Sequence, residues 1–237
     1  MDDNAQNEAT GVRSAWELHA GLSPVSKDTV QDRVYNSLRS AIMRGEVKPG
    51  ETLTIPGLAE TFGTSAMPVR QALHRLTAER AITVISGRTV GVPPLSRHRL
   101  RDLARVRIQV EGLAAAWAAE HASAKLVDHL SGLVEQMWRD SEAEDATGFL
   151  NRNQRFHFTV YEAAGSTVLV AIIEGLWLQI GPYLSLLHRS GNYRAGNQNH
   201  QALTDALKRG DSDGARHALE GDITKAAELL LTMVPQD

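Results

Sequence analysis

Apolar residues begin to recur with helical spacing at Thr29. Val30, Val34, Leu38, Ala41 and Ile42 fall on one face, and Gly45 ends the helix they predict. Val47-Lys48-Pro49-Gly50 reads as a turn. Thr54 then suits the N-cap of a short helix that turns Leu58, Ala59 and Phe62 inward. After the tight turn Gly63-Thr64, Ser65 caps a third helix running to about Glu79, with Val69, Ala72, Leu73 and Leu76 on its inner side. Two short β-prone runs, 82–85 and 89–92, flank the turn Ser86-Gly87-Arg88. Val92-Pro93-Pro94-Leu95 is a stiff extended joint, and Ser96 caps the next helix. From there the pattern predicts six helices, 97–121, 123–141, 147–164, 167–188, 195–209 and 212–232, with no β-rich run between them. Residues 1–27 show little periodicity and read as a mobile arm in which Trp16 and Leu18 have no assigned partner.

The fold class expected is therefore mainly α: a winged helix-turn-helix over 28–92, a linker at 93–96, and an all-α antiparallel bundle over 97–234. A short trihelical bundle of another kind shows the same local spacing, so charge matters here. Residues 29–99 hold ten basic against five acidic side chains, a net +5, whereas 100–237 carry −5 and the first 28 residues −3. That asymmetry points the first domain at a polyanion. A recognition helix presents its N-terminus to a DNA groove, where Thr64 and Ser65 can donate to phosphate. Arg70 can bind a guanine edge or clasp a phosphate, and Arg88 sits at the wing tip. No run approaches the roughly 18 apolar residues of a membrane span. The N-terminus lacks the order of a signal peptide, and cysteine is absent. A soluble, cytoplasmic protein without a membrane partner is expected.

The stretch from Val34-Tyr35-Asn36-Ser37-Leu38-Arg39 through Gly45 to Pro49-Gly50-Glu51-Thr52-Leu53 resembles the opening of GntR-family DNA-binding domains. Leu58-Ala59-Glu60, Gly63-Thr64-Ser65, Pro68-Val69-Arg70-Gln71-Ala72-Leu73 and Arg75-Leu76 resemble that family's core motif. The resemblance implies DNA contacts from Ser65, Arg70 and the wing residues Ser86, Gly87 and Arg88. Arg39, Thr64, Ala66 and Pro68 complete the candidate set. Many relatives carry Arg where this chain has Ala66, and a charged residue where it has Pro56, so the resemblance carries over DNA binding and not an operator sequence.

In the second half, Arg107 and Glu111 stand four apart on an apolar helix. The plain reading is a helix-stabilising pair; the alternative turns Arg107 into a cavity to clamp an effector carboxylate. Asn153 and His157 lie one turn apart on one face. Asn153-Gln154-Arg155-Phe156-His157 with Ala163-Ala164-Gly165, and Asn199-His200-Gln201-Ala202-Leu203 through Gly210-Asp211, are similar to the two signatures of the FCD effector domain of FadR-type GntR regulators. Many such domains hold a divalent metal with one Asp and three His. Transferred along the motif, the ligands here are Asn153, His157, His200 and Asp222, with Asn replacing the Asp and Asp replacing the last His. Imidazole and carboxylate suit Zn, Ni or Mn. Two histidines that merely satisfy a polar core are the other reading. His217 reads as a surface residue, and Tyr183 and Arg189, with His188 and Tyr193, are candidates to line the effector cavity.

The leading expectation is a ligand-responsive transcription regulator, most readily a repressor and a homodimer, that binds double-stranded operator DNA and a small organic acid. The alternatives are a metal-dependent helical-bundle hydrolase or lyase, which would need a general base such as Glu162 or Glu174, a regulator whose pocket lacks metal, and a non-regulatory architectural DNA protein.

Overall fold

A computed structural model describes residues 29–94, 96–189 and 193–234, without the side chains of 185, 188, 189 and 193–195. The arm with Trp16 and Leu18 lies outside the described residues, as does Leu95 of the linker. The first domain opens with helix α1 (Val30–Met43). Thr29 and Asp32 close a reciprocal capping box at its start. Past its end Gly45 takes a φ of 70°, which L side chains rarely adopt. Strand β1 (Thr52–Thr54) leads into α2 (Ile55–Thr61), capped by the Thr54 hydroxyl. Gly63, with φ 58°, makes the turn into α3 (Ala66–Ala78). The wing is β2 (Thr83–Ser86) and β3 (Thr89–Gly91). β3 is central in the antiparallel order β1-β3-β2, with Thr52 opposite Gly91. The third strand, β1, is the element the sequence pattern did not predict.

Six helices form the second domain: α4 (Arg97–Glu120), α5 (Ala124–Glu142), α6 (Ala146–Ala163), α7 (Thr167–Arg189), α8 (Tyr193–Arg209) and α9 (Ser212–Met233). Ser96, Ser123, Asp145 and Asp211 each accept a backbone N–H in the first turn of the helix they precede. α4 packs chiefly on α9, while α5 joins α6 and α8. Contrary to the sequence expectation that no run approaches a membrane span, the 18-residue window Thr167–Leu184 of α7 is apolar enough for one by composition; in this fold it packs against other helices, with Ile173, Trp177, Leu178 and Ile180 buried.

The two domains touch through α1 and α7. A Cβ placed on Gly181 would lie 2.6 Å from the Ile42 carbonyl oxygen and 2.7 Å from Met43 Cα, so glycine permits the contact. Beside it the Tyr183 hydroxyl donates to the Pro93 carbonyl of the linker.

Candidate functional site

Helix α3 has a buried side, Val69, Ala72, Leu73 and Leu76, and an open one. Ser65, Ala66, Met67, Arg70 and His74 are exposed, with Thr64 and Pro68 half-buried. Ser65 adopts N-cap geometry, yet its side chain makes no cap bond. Arg70 forms no ion pair with any described residue. The wing turn Ser86-Gly87-Arg88 is exposed, and the Arg88 carbonyl accepts from Ile55 N–H at 3.0 Å, which fixes the wing to α2. At the other end of α3, the Tyr35 hydroxyl donates to Glu79 at 2.8 Å and Arg75 lies 3.6 Å from the Tyr35 ring centroid, so α1 holds the helix in place. Met67, 61% exposed at the helix N-terminus, is a residue that sequence reasoning missed. A methionine there offers an apolar contact to a thymine methyl group. Its signal was the lack of an inward partner at its position on the helix.

Arg39 does not join this surface. Its guanidinium turns to the second domain and pairs with Glu174 of α7 at 2.8 Å, because it lies on the α1 face that packs there.

The second site is a cavity of about 380 Å³ among α4, α6, α7, α8 and α9. Asn153 and His157 of α6, His200 of α8 and Asp222 of α9 all line it, as does Arg107 of α4. His157 Nε2 is 3.2 Å from His200 Nε2 and 3.4 Å from Asp222 Oδ2, and His200 Nε2 is 3.7 Å from Asp222 Oδ1. Ligands about 2.1 Å from one ion are themselves roughly 3–3.5 Å apart, and these three side chains, whose ligand atoms all lie within 4.8 Å of one another, are grouped closely enough to share a cation. Their protonation also fits. Burial, opposed by Asp222, lowers the His200 pKa to about 4, so its ring is neutral at pH 7. Burial pushes Asp222 up, but His200, His157 and Arg107 outweigh it and the net shift is downward, which keeps the carboxylate ionised.

A buried network stands behind His157. Its Nδ1 is 3.2 Å from the Tyr161 hydroxyl, which donates to Glu111 at 2.5 Å. Glu111, fully buried, also accepts two bonds from Arg107 at 2.7 and 3.2 Å and one from Trp177 Nε1 at 3.4 Å. The Arg107–Glu111 pair is thus neither solvated nor a simple helix staple. Burial first, then Glu111, holds the Tyr161 pKa well above its ordinary value, so that hydroxyl keeps its proton. His200 Nδ1 and Asn197 Oδ1, buried one turn apart on α8, have no hydrogen-bond partner among the described residues.

Other candidates lie elsewhere. Tyr183 does not line the cavity: it faces the linker, and burial, opposed by Arg99, raises its pKa to about 12. The side chains of Arg189, His188 and Tyr193 lie outside the described ones. Neither Glu162 nor Glu174 lines the cavity. Exposed His217 has its Nδ1 2.7 Å from the Asp213 carbonyl.

Comparison with known proteins matches both halves. Residues 30–92 match the bacterial regulatory proteins of the gntR family, and residues 102–225 match the FCD domain. The HTH-type transcriptional regulator McbR of Escherichia coli is 33% identical over 190 residues, covering 79% of this chain and 86% of its own. A solved structure of E. coli McbR/YncC superposes with a TM-score of 0.81 at 30% identity, over 87% of this chain and 99% of that one. The HTH-type transcriptional repressor GlaR of E. coli is 27% identical over 216 residues, 85% of this chain and 92% of its own. With an exposed, basic recognition helix and wing on one domain and a helical bundle enclosing a polar-floored cavity on the other, the chain belongs to the GntR family of transcription regulators, in the FadR-type branch that carries an FCD domain.

Proposed function

We propose that this chain acts as a cytoplasmic homodimeric repressor, held on double-stranded operator DNA by residues 28–92 and released by a small organic acid bound within 97–234. The observation that carries the sensing half is the convergence of His157 Nε2, His200 Nε2 and the Asp222 carboxylate at the cavity floor. With Asn153 they would hold a divalent ion such as Zn, Ni or Mn, which when bound supplies positive charge for an acid group. Relative to the FCD pattern, the carboxylate has moved from α6 to α9, so the donor set keeps a single anionic ligand. Arg107 lines the same cavity and is the second contact proposed for the acid.

On the DNA side, Ser65, Ala66 and Arg70 are exposed at the start of α3, with the half-buried Thr64 and Pro68 beside them and Ser86, Gly87 and Arg88 on the wing. Two such domains, related by a two-fold axis, reach half-sites about 34 Å apart, one DNA turn. Coupling is supported by α7. Trp177 and Leu184 line the cavity, while Gly181 and Glu174 contact α1. An acid that binds one arrangement of α7 more tightly biases the DNA-competent state by that difference in affinity.

Two measurements test the reading. Gel shifts on DNA upstream of the protein's own gene should show specific binding that weakens steeply with salt. Metal analysis of protein purified without chelator or histidine tag should find near one divalent ion per chain, lost in His157→Ala. Protein that is metal-free in every preparation removes the metal from the proposal, and absence of any specific DNA complex removes the regulator reading.

A further inference from the structure

The cavity is unevenly built. Its buried polar groups, Arg107, His157 and His200, stand with Asp222 at the floor, whereas Phe149, Leu150, Leu184, Ile223 and Leu229 supply apolar wall and the exposed Lys225 and Glu228 also line it. The uncharged polar side chains among its described lining residues, leaving the histidines aside, are Asn153 and Thr232, and the Thr232 hydroxyl already donates to the Leu229 carbonyl at 2.7 Å. The cations are few. Arg107, the contact assigned to the first acid group, gives two bonds to Glu111, and the exposed Lys225 Nζ reaches the uncharged Asn199 Oδ1 at 3.2 Å. A hydroxyl carried into such walls loses its water and meets few replacement partners, which disfavours binding. A second carboxylate meets two acidic side chains, Asp222 and Glu228, against Lys225 as the one lining cation outside an ion pair among the described residues. An apolar body meets surface that gains from being covered.

We infer that the effector is a monocarboxylic acid with an apolar body, chain or ring, and not a polyhydroxylated sugar acid or a diacid. This rests on the reading of the cavity as the effector site. The acid group lies toward the floor and the apolar body toward Leu150 and Leu229, which are partly exposed.

Matched acids test it on the full chain loaded with zinc, by calorimetry and melting shift. Cyclohexanecarboxylate and quinate share a ring, hexanoate and gluconate a chain length, and adipate adds a second acid group to hexanoate. The apolar member of a pair should bind at least about tenfold more tightly than its hydroxylated partner, and hexanoate more tightly than adipate. From acetate through butyrate to hexanoate, affinity should rise by up to about fourfold per methylene. Quinate, gluconate or adipate matching or exceeding its apolar partner overturns the inference and leaves the effector site intact. Acetate binding as tightly as hexanoate does the same. If none of these acids binds while the protein still shifts DNA, both the inference and the effector reading fail. Leu150→Asn and Leu229→Asn, at positions open enough to tolerate a polar side chain, should narrow the gap between the members of a pair. An unchanged gap in correctly folded variants counts against the assigned walls, and the comparison on the unaltered protein stands whether or not those variants fold.

Discussion

Tyr161 favours one tautomer of His157. Its single hydroxyl proton goes to the Glu111 carboxylate at 2.5 Å, so toward His157 Nδ1 it can only accept. A proton on Nδ1 would suit that acceptor and would leave Nε2 the nitrogen that an ion shared with His200 and Asp222 would take. Tyr161→Phe keeps the ring and removes the acceptor. Metal affinity, read by competition with a chelating dye, should fall by about 10–100-fold with the fold retained, and an unchanged affinity rejects the assigned tautomer. On the DNA face, Arg70→Ala should cost about 1–3 kcal/mol of specific binding if the side chain reads a base. Arg88→Ala should lower the slope of log affinity against log salt by about one, as expected for one lost phosphate contact. Arg39→Ala should leave that slope unchanged, since the side chain is paired with Glu174. Arg39 illustrates a limit of sequence reading. A basic residue on an N-terminal helix reads as a DNA contact, and only tertiary packing reveals that its face belongs to the domain interface.

Among the elements, α7 carries the most. The glycine at 181 lets two helices approach closely, and any side chain there meets backbone atoms, which cannot turn aside as a flexible side chain would. Gly181→Ala should therefore destabilise the protein by about 1–3 kcal/mol, the usual range for overpacking. It should also change the factor by which a bound acid alters DNA affinity, while acid affinity at the cavity stays within about twofold. Gel shifts with and without ligand measure the first quantity and calorimetry the second; an unaltered factor removes α7 from the coupling. The helix boundaries in the second domain were legible to within a residue or two, because Ser96, Ser123, Asp145 and Asp211 mark them locally. β1 was not legible. It has three residues, and what makes it a strand is pairing with β3, whose residues lie far along the chain.

At the scale of the whole molecule, the split of charge governs behaviour in salt. Residues 29–99 carry +5 and the remainder of the chain is acidic, so specific and non-specific DNA affinity should both fall as salt rises. The second domain's surface should contribute little to the slope. The two-domain plan and the histidine cluster could be read in the sequence, from periodicity in one case and the resemblance to the FCD signatures in the other. The docking of one domain on the other could not. Gly181 against α1 and Tyr183 on Pro93 join residues far apart in the chain and leave no local pattern. A further clasp joins the bundle's own beginning and end. Arg97, in the first turn of α4, donates to the Leu231 and Val234 carbonyls at the close of α9. The bundle thus starts and finishes at one place, beside the linker. A different DNA-reading head grafted at residue 96 would leave that clasp intact but would have to rebuild the contacts that α1 and Pro93 make with α7.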